Sequence, residues 1–564
     1  MNLLEEKWLP VRRSTGQTDW IAPHQIIEPN IVAFAANRAD FNGALAQMMI
    51  GLLQTTTPID DEGDWEDLLD VPPTAEVLQK WFAPTAEAFV LDGDGARFMQ
   101  DFSLDTSAID PSKFKEISLL LIDAPGVSTQ KDNKDLFVKR GQVKGLCPHC
   151  VATALITLHT NAPEGGAGNY TSLRGGGPLT TLVVATPSRS LWQDLWLNVQ
   201  PQQAFLQRGG DVQKIAKHFT FPWLAEISKI QPAGGETQPL QVHPHHLFWA
   251  MPRRIRVDFA DVQTGQCDAC KRDSTQLLHR YIAKPQGLNY KGVWRHPFSP
   301  YYEAKEGWRP VHPQPGGFSY KNWLAWVLGV KQEGKAVQTA GIVNYFLQER
   351  KKYQKSGQFR LWVFGYDMDS MTARCWYETT FPLYGLAETK RSTQIQIQNL
   401  IANRIQATEQ AVIYLSQAVK EAWFPKRNGK VEMRGDLSFV DKAFWDSTET
   451  DFYQQLNDLM KQARTEAGID MDDANFIIAL GDTWHKVLLK CATKLFDVDI
   501  VGAGSIGQQD PRRIAEAYNN LQRNLRGDAI KTILRLPVTD KKSKPAKEGK
   551  KTKSSAEPQA QSSL

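Results

Sequence analysis

From Asp40 the apolar residues Phe41, Leu45, Met48, Met49 and Leu52 recur three and four positions apart, behind an aspartate of the kind that caps helices. The spacing predicts a core helix. After Glu388 a longer pattern takes over. Ile397, Leu400, Ile401, Ile405, Val412, Leu415 and Val419 mark one amphipathic helix that Pro425 must end. Three further stripes follow, at Phe452, Leu456, Leu459 and Ala463, then Leu480, Trp484, Val487, Leu488, Cys491 and Leu495, then Ile514, Tyr518, Leu521 and Leu525. Earlier in the chain the apolar runs are short and β-like, as at Thr180 to Ala185 and Phe359 to Phe364, among many Gly, Pro and Trp residues. The pattern predicts an α+β protein. A large mixed α/β N-terminal domain occupies residues 1–385, and a C-terminal four-helix bundle occupies 386–535.

The remaining 536–564 segment is lysine-rich and without apolar periodicity, so it is expected to be disordered. It also explains the charge. The chain carries 66 basic and 62 acidic residues, but seven lysines and three acids lie in Asp540 to Leu564, leaving a neutral body. Global charge therefore gives no evidence of a polyanion partner, and any such site must be a local patch. At 564 residues, with 41% apolar and 23% charged, the chain is long enough for more than one core. Disordered, collagenous and disulfide-scaffold classes are excluded. No run approaches the roughly 18 apolar residues of a membrane span. Glu5, Glu6 and Lys7 stand where a signal peptide would be apolar, so no membrane role is expected and the location is read as cytoplasmic.

Four of the six cysteines form two Cys-x-x-Cys pairs, Cys147/Cys150 and Cys267/Cys270. Each pair offers two thiolates from a tight turn, and together they complete the four-sulfur shell that zinc prefers. A closed shell leaves no place for substrate, so such a zinc is structural. The competing reading is a redox dithiol, because Cys147-Pro-His-Cys150 precedes a helical run from Val151 that would lower a thiol pKa at its N-terminus. Cys375 and Cys491 read as small buried apolar side chains, and His243, His245 and His246 as a turn with surface histidines.

The segment from Val127 to Gly145 sets Lys131, Lys134, Lys139, Arg140 and Lys144 against Asp132 and Asp135, around Phe137. A basic loop with one aromatic suits phosphate tracking plus stacking, although an ordinary solvated loop has the same composition. Next comes PEGGAGNYTSLRGGGPLTT, where Gly165, Gly166 and Gly168 permit close backbone approach to a partner. It is neither a P-loop nor a dinucleotide fingerprint. The chain also lacks Gly-x-Ser-x-Gly and His-Glu-x-x-His, so enzymatic chemistry has no motif behind it.

Taken together, MNLLEEKWLPVRR, FMQDF, the first Cys-x-x-Cys with its continuation to SLRGGGPLTT, the second Cys-x-x-Cys, VWRHPFSP and the closing helices stand in one order. In that order the chain resembles the large subunit (CasA family) of the type I-E CRISPR Cascade surveillance complex. The resemblance implies a non-enzymatic antiviral protein that inspects duplex DNA for the protospacer-adjacent motif and starts strand separation, leaving sequence reading to the guide RNA. Implied partners are guide RNA, double-stranded target DNA, other Cascade subunits and a recruited helicase-nuclease. It also implies site residues. Phe137 takes the place of the family's loop aromatic, beside Lys139, Arg140 and Lys144. The glycine loop maps to Glu164, Gly165, Gly166, Ala167 and Gly168, with Ala167 where glycine is the family's choice. The motif-reading lysine maps to Lys284, with Lys291 the other candidate, and the wedge hairpin to Asp369, Ser370 and Met371, with Ser370 in the place of an amide. Two alternatives remain at this stage, a zinc-dependent or thiol redox enzyme and a general zinc-stapled RNA-binding scaffold.

Overall fold

The computed structural model describes residues 1–106, 109–125, 131, 141–166, 168–187, 190–330, 336–356, 358–369, 372–384, 391–427, 430–431, 436–463, 473–504 and 510–538. Its chain divides into two compact units. The first comprises residues 1–405 and 435–470, the second 406–434 with the residues from 471 onward. The expected boundary between 385 and 386 and the tail from 539 lie outside the described residues.

The first unit opens with a three-stranded sheet, β1 (Leu9–Arg13) between β2 (Thr18–Ile21) and β3 (Ile31–Phe34). Helix α1 (Ala39–Thr56) follows and is buried on almost every side. Phe41, Leu45, Met48, Met49 and Leu52 are all core, as the periodicity requires. Asp40 is not the cap. Arg38 holds that position without a side-chain bond to the free N–H groups of the helix, and Asp40 lies in the first turn, where Arg38 grips its buried carboxylate through two nitrogens. Tyr366 Oη donates to the same carboxylate at 2.6 Å.

Helix α2 (Pro148–Asn161) packs on α1. Beyond it the two β-like runs of the sequence meet. Strand β4 (Thr180–Thr186) pairs antiparallel with β5 (Gln358–Asp369), Thr180 opposite Phe364 and Ala185 opposite Phe359. On its other side β5 turns back into β6 (Thr372–Leu383), with a register shift after Asp367 that leaves Arg374 as the extra residue of a bulge.

The histidine motif corrects its expectation. His245 and His246 sit in the turn Pro244–Phe248, but both are buried, because the turn packs under Phe205, Phe219 and Tyr290. Burial keeps both neutral, His246 held down at about 4 and His245 at about 3. His246 Nδ1 bonds the Phe219 carbonyl at 3.0 Å, and its Nε2 meets Tyr290 Oη at 2.8 Å.

The C-terminal region is helical. Helix α3 (Arg391–Trp423) buries all seven apolar positions read from the sequence, and α4 (Ser438–Ala463) buries its four. In α4, which belongs to the first unit, Thr448 and Phe452 pack against Tyr320. In the second unit α5 (Ala474–Lys494) buries Trp484 and Leu488 as expected, with Leu495 just beyond its end, but the rest of its inward face differs. Ile477, Gly481, Trp484, His485, Leu488 and Ala492 are buried, while Leu480, Val487 and Cys491 are only half-buried. The cause is Gly481, where any side chain would collide with the Leu534 carbonyl, so the helix seats its smallest residue inward. Helix α6 (Pro511–Leu525) starts behind an Asp510 cap and buries Leu521 and Leu525. Cys375, expected inside, is exposed on β6, because its position on the outer strand faces away from the core.

Candidate nucleic-acid interface and thiol cluster

The two Cys-x-x-Cys pairs converge. Cys147 precedes α2 and Cys150 lies in its first turn, whereas Cys267 and Cys270 occupy the tip of the hairpin formed by β-strands Val262–Gln266 and Asp273–Leu278. That tip closes by Cys267 N–H donating to the Arg272 carbonyl, 2.8 Å, with Lys271 at a φ of +63°. The four sulfurs lie within 4.8 Å of one another, and those of Cys147 and Cys270 are 3.7 Å apart. Tetrahedral Zn–S bonds of about 2.3 Å make an edge of about 3.8 Å, so the donor set fits a four-coordinate soft metal. Cys147 N–H also points at Cys267 Sγ, 3.3 Å, as a donor to a sulfur holding charge would.

Proton sharing with Cys147 and the other sulfurs pushes the Cys150 thiol up, while bonds from Cys147 and Cys150 draw Cys270 down to about 7. The cluster thus holds protons that a divalent cation would displace. Four thiolates around a divalent ion keep a net negative charge, and a cation stands beside them. Arg272 lies 4.0 Å over the Trp20 ring, with Nη1 3.4 Å from His149 Nδ1. Burial, with help from Arg272, holds His149 neutral at about 4.

The cluster also anchors the basic loop. Asp268, between the second pair, accepts the backbone N–H groups of Lys144 and Gly145 at 2.6 and 2.9 Å. Lys144 is exposed at this anchored end. Phe137, Lys139 and Arg140 lie outside the described residues.

The glycine loop forms the next part. Gly165 and Asn169 close it through N–H to carbonyl bonds of 3.0 and 2.8 Å, with Gly166 and Gly168 at φ of +61° and +82°. Glu164, Gly165 and Gly166 are exposed, and Ala167 lies outside the described residues. The loop rests on the turn after Lys284. Gln286 N–H donates to the Gly168 carbonyl at 2.8 Å, and a Cβ on Gly168 would come 3.1 Å from Gln286 Cγ. Arg253 donates to the Pro163 carbonyl. Lys284 and Gln286 are both exposed at this junction.

The second glycine run joins loop to hairpin. Gly176 packs on Pro163, and Gly177, at φ +59°, leaves only 2.5 Å between a hypothetical Cβ and the Tyr366 carbonyl. Met368 crowds the same spot from 2.8 Å. Arg174 fixes the run from inside, donating to Gln47, Thr180 and Ser299 while fully buried, with no carboxylate partner among the described residues; burial lowers it to about 10. Loop, turn and hairpin base are therefore one continuous set of contacts. Asp369 ends β5 at the hairpin tip, its Oδ2 3.5 Å from Arg374 Nη1. Ser370 and Met371 lie outside the described residues, and Lys291 is exposed on a different turn, its N–H on the Thr237 carbonyl. Gln286, Arg253 and Arg374 escaped sequence reasoning, and only the Lys-Pro-Gln-Gly run gave a signal, as a turn.

Comparison with known proteins matches this architecture. Thermobifida fusca Cse1 superposes with a TM-score of 0.66 over 95% of this chain and 98% of that one, at 13% identity. CasA from Thermus thermophilus gives 0.64 over 93% and 99%, at 14% identity. A chain of a structure described as a CRISPR RNA-guided surveillance complex gives 0.62 over 93% and 99%, also at 14%. The fold is thus that of solved CRISPR-associated proteins. The family model for CRISPR-associated protein Cse1 matches residues 2–494, and the chain belongs to that family.

Proposed function

We propose that this chain is the non-enzymatic large subunit of an RNA-guided Cascade complex. In this reading it recognises the protospacer-adjacent motif in duplex DNA and promotes strand separation so that guide RNA can pair, in antiviral defence. Family membership supports the assignment to CRISPR defence. The observation that carries the DNA-reading role is the rim in which the glycine loop, the Lys284 turn and the base of the β5–β6 hairpin touch one another. Glycines that admit a close backbone, a lysine for phosphate and a hairpin tip for prying stacked bases apart are the parts such a task needs.

The basic loop, with Phe137, Lys139, Arg140 and Lys144, then supplies phosphate contacts beside the guide or the motif. Ser370 and Met371 are assigned to the wedge, where an apolar methionine suits insertion between base steps. One structural zinc on Cys147, Cys150, Cys267 and Cys270 pins the anchored end of the basic loop. A closed four-sulfur shell supports scaffolding rather than redox or hydrolytic chemistry. Residues 386–535 are assigned to the family's helical bundle, and the partners are guide RNA, target duplex, the other Cascade subunits and a recruited helicase-nuclease.

The test is binding of the assembled complex to a library of duplexes with the motif positions randomised. Strong preference for a few motifs is expected; uniform binding overturns the reading. Neutralising Lys139, Arg140 and Lys144 together should flatten the salt dependence, each lost phosphate contact removing roughly 0.9 from the log-log slope. An unchanged slope removes these side chains from the interface.

A further inference from the structure

We infer that Gln286 is a specificity-determining residue of this rim, its carboxamide reading base edges in the minor groove; the inference rests on the proposed motif-reading role. Gln286 is one of four non-glycine residues at positive φ among those described, at +64°. Such a conformation costs a residue with a Cβ about 1 kcal/mol or more, which Gly would avoid. Two contacts hold the residue in it. Its N–H is spent on the Gly168 carbonyl at 2.8 Å, and Gly287 behind it lies so close to the Pro252 carbonyl that no side chain fits.

The consequence is directional. With the backbone turned inward to the glycine loop, the side chain stands exposed beside Gly168, and its carboxamide makes no hydrogen bond among the described residues. Next to it a cavity of about 230 Å³, lined by Tyr170, Gln231 and Arg254 among others, gives the long chain room to swing.

Lys284 and Gln286 then divide the work by chemistry. An ammonium only donates, to phosphate on any sequence or to the acceptors of a base edge. A carboxamide offers both a donor and an acceptor, and the minor groove distinguishes its base pairs by acceptors at A·T against an added guanine N2 donor at G·C. An ammonium can answer the acceptors alone, whereas an amide can answer acceptor and donor alike.

The experiment uses the assembled complex carrying the full chain, with a panel of duplexes differing only at the motif. Gln286→Gly keeps the positive φ without strain, so thermal stability should stay level or rise while the affinity ratio between best and worst motifs falls roughly tenfold. Gln286→Asn keeps an amide and tolerates the backbone, and should retain part of the ratio or shift its preference. A Gln286→Gly complex that folds and discriminates as the unchanged one does overturns the inference alone. If the unchanged complex shows no motif preference, the reading beneath it fails and the inference falls with it.

Discussion

Arg374 clasps Asp367 across the base of the β5–β6 hairpin, Nη2 to Oδ1 at 2.6 Å and Nε to Oδ2 at 3.1 Å. The carboxylate is buried, 2% exposed, and the guanidinium comes from the bulge that the register shift creates. The bulge thus aims a charge at a buried carboxylate of the opposite strand. Because Arg374 is 41% exposed, solvent screens the pair, and a double-mutant cycle with Arg374→Ala and Asp367→Asn should give a coupling of about 1–2 kcal/mol. Arg374→Ala should also slow opening of a fully paired target more than of a pre-melted one. Equal effects on both would separate the clasp from strand opening.

The thiol cluster predicts an all-or-none metal site. Full-length protein purified without chelators should contain about one zinc per chain, and Cys147→Ser or Cys270→Ser alone should abolish it and lower the thermal midpoint. Elemental analysis finding no zinc, with four freely titrating thiols at these positions, would refute the site.

Acid should destabilise the fold through its buried histidines. His246 has an ordinary value of 6.5 when unfolded and about 4 when folded, driven down by burial. The unfolded chain therefore binds the extra proton. Stability is full above pH 6.5 and falls as the pH drops toward 4, by about 1.4 kcal/mol per pH unit for each such group. His159, buried and at about 4, adds in the same direction. Thermal unfolding of His246→Gln across pH 4–7 should show a shallower slope, and an unaltered slope would mean that His246 binds its proton equally in both states, without the depression that burial imposes.

The glycines separate into two kinds. Gly177→Ala forces a Cβ to within 2.5 Å of the Tyr366 carbonyl at a φ that already disfavours it, and should cost about 1–3 kcal/mol. Gly166 has nothing within 4 Å of its missing Cβ, so Gly166→Asn should leave stability within about 0.5 kcal/mol. Gly168→Asp, facing Gln286, should abolish motif-dependent binding while zinc content stays intact. Loss of folding in Gly166→Asn, measured by thermal unfolding, would assign that glycine to scaffold.

Periodicity read the helices because a helix presents neighbours of its own sequence to the core, so spacing alone selects the face. It named every core residue of α1 and α3 that it listed. It was half right on α5, where Trp484 and Leu488 are core but a carbonyl from another segment seats Gly481 inward, and it failed at Asp40, whose partners Arg38 and Tyr366 include one 326 residues away. Cys-x-x-Cys was legible because two thiols with a two-residue spacer suffice to suggest a turn. His245 and His246 were misplaced since nothing local announces Phe219 or Tyr290 above them. Gln286 was invisible for another reason. Its backbone angle is set by Gly168, and a positive φ leaves no mark on a glutamine in a sequence.

The pairing of β4 with β5 joins residues that the ribosome makes far apart in time. Thr180 to Thr186 is an apolar strand whose partner, Gln358 to Asp369, emerges after more than 170 further residues. At about 5–20 residues per second that interval lasts roughly 10–35 seconds. Throughout it a valine-rich edge has no neighbour, an open template for another nascent chain. The protein is therefore most prone to aggregate midway through its own synthesis, and fragments ending between residues 190 and 357 should need a chaperone that the finished chain does not.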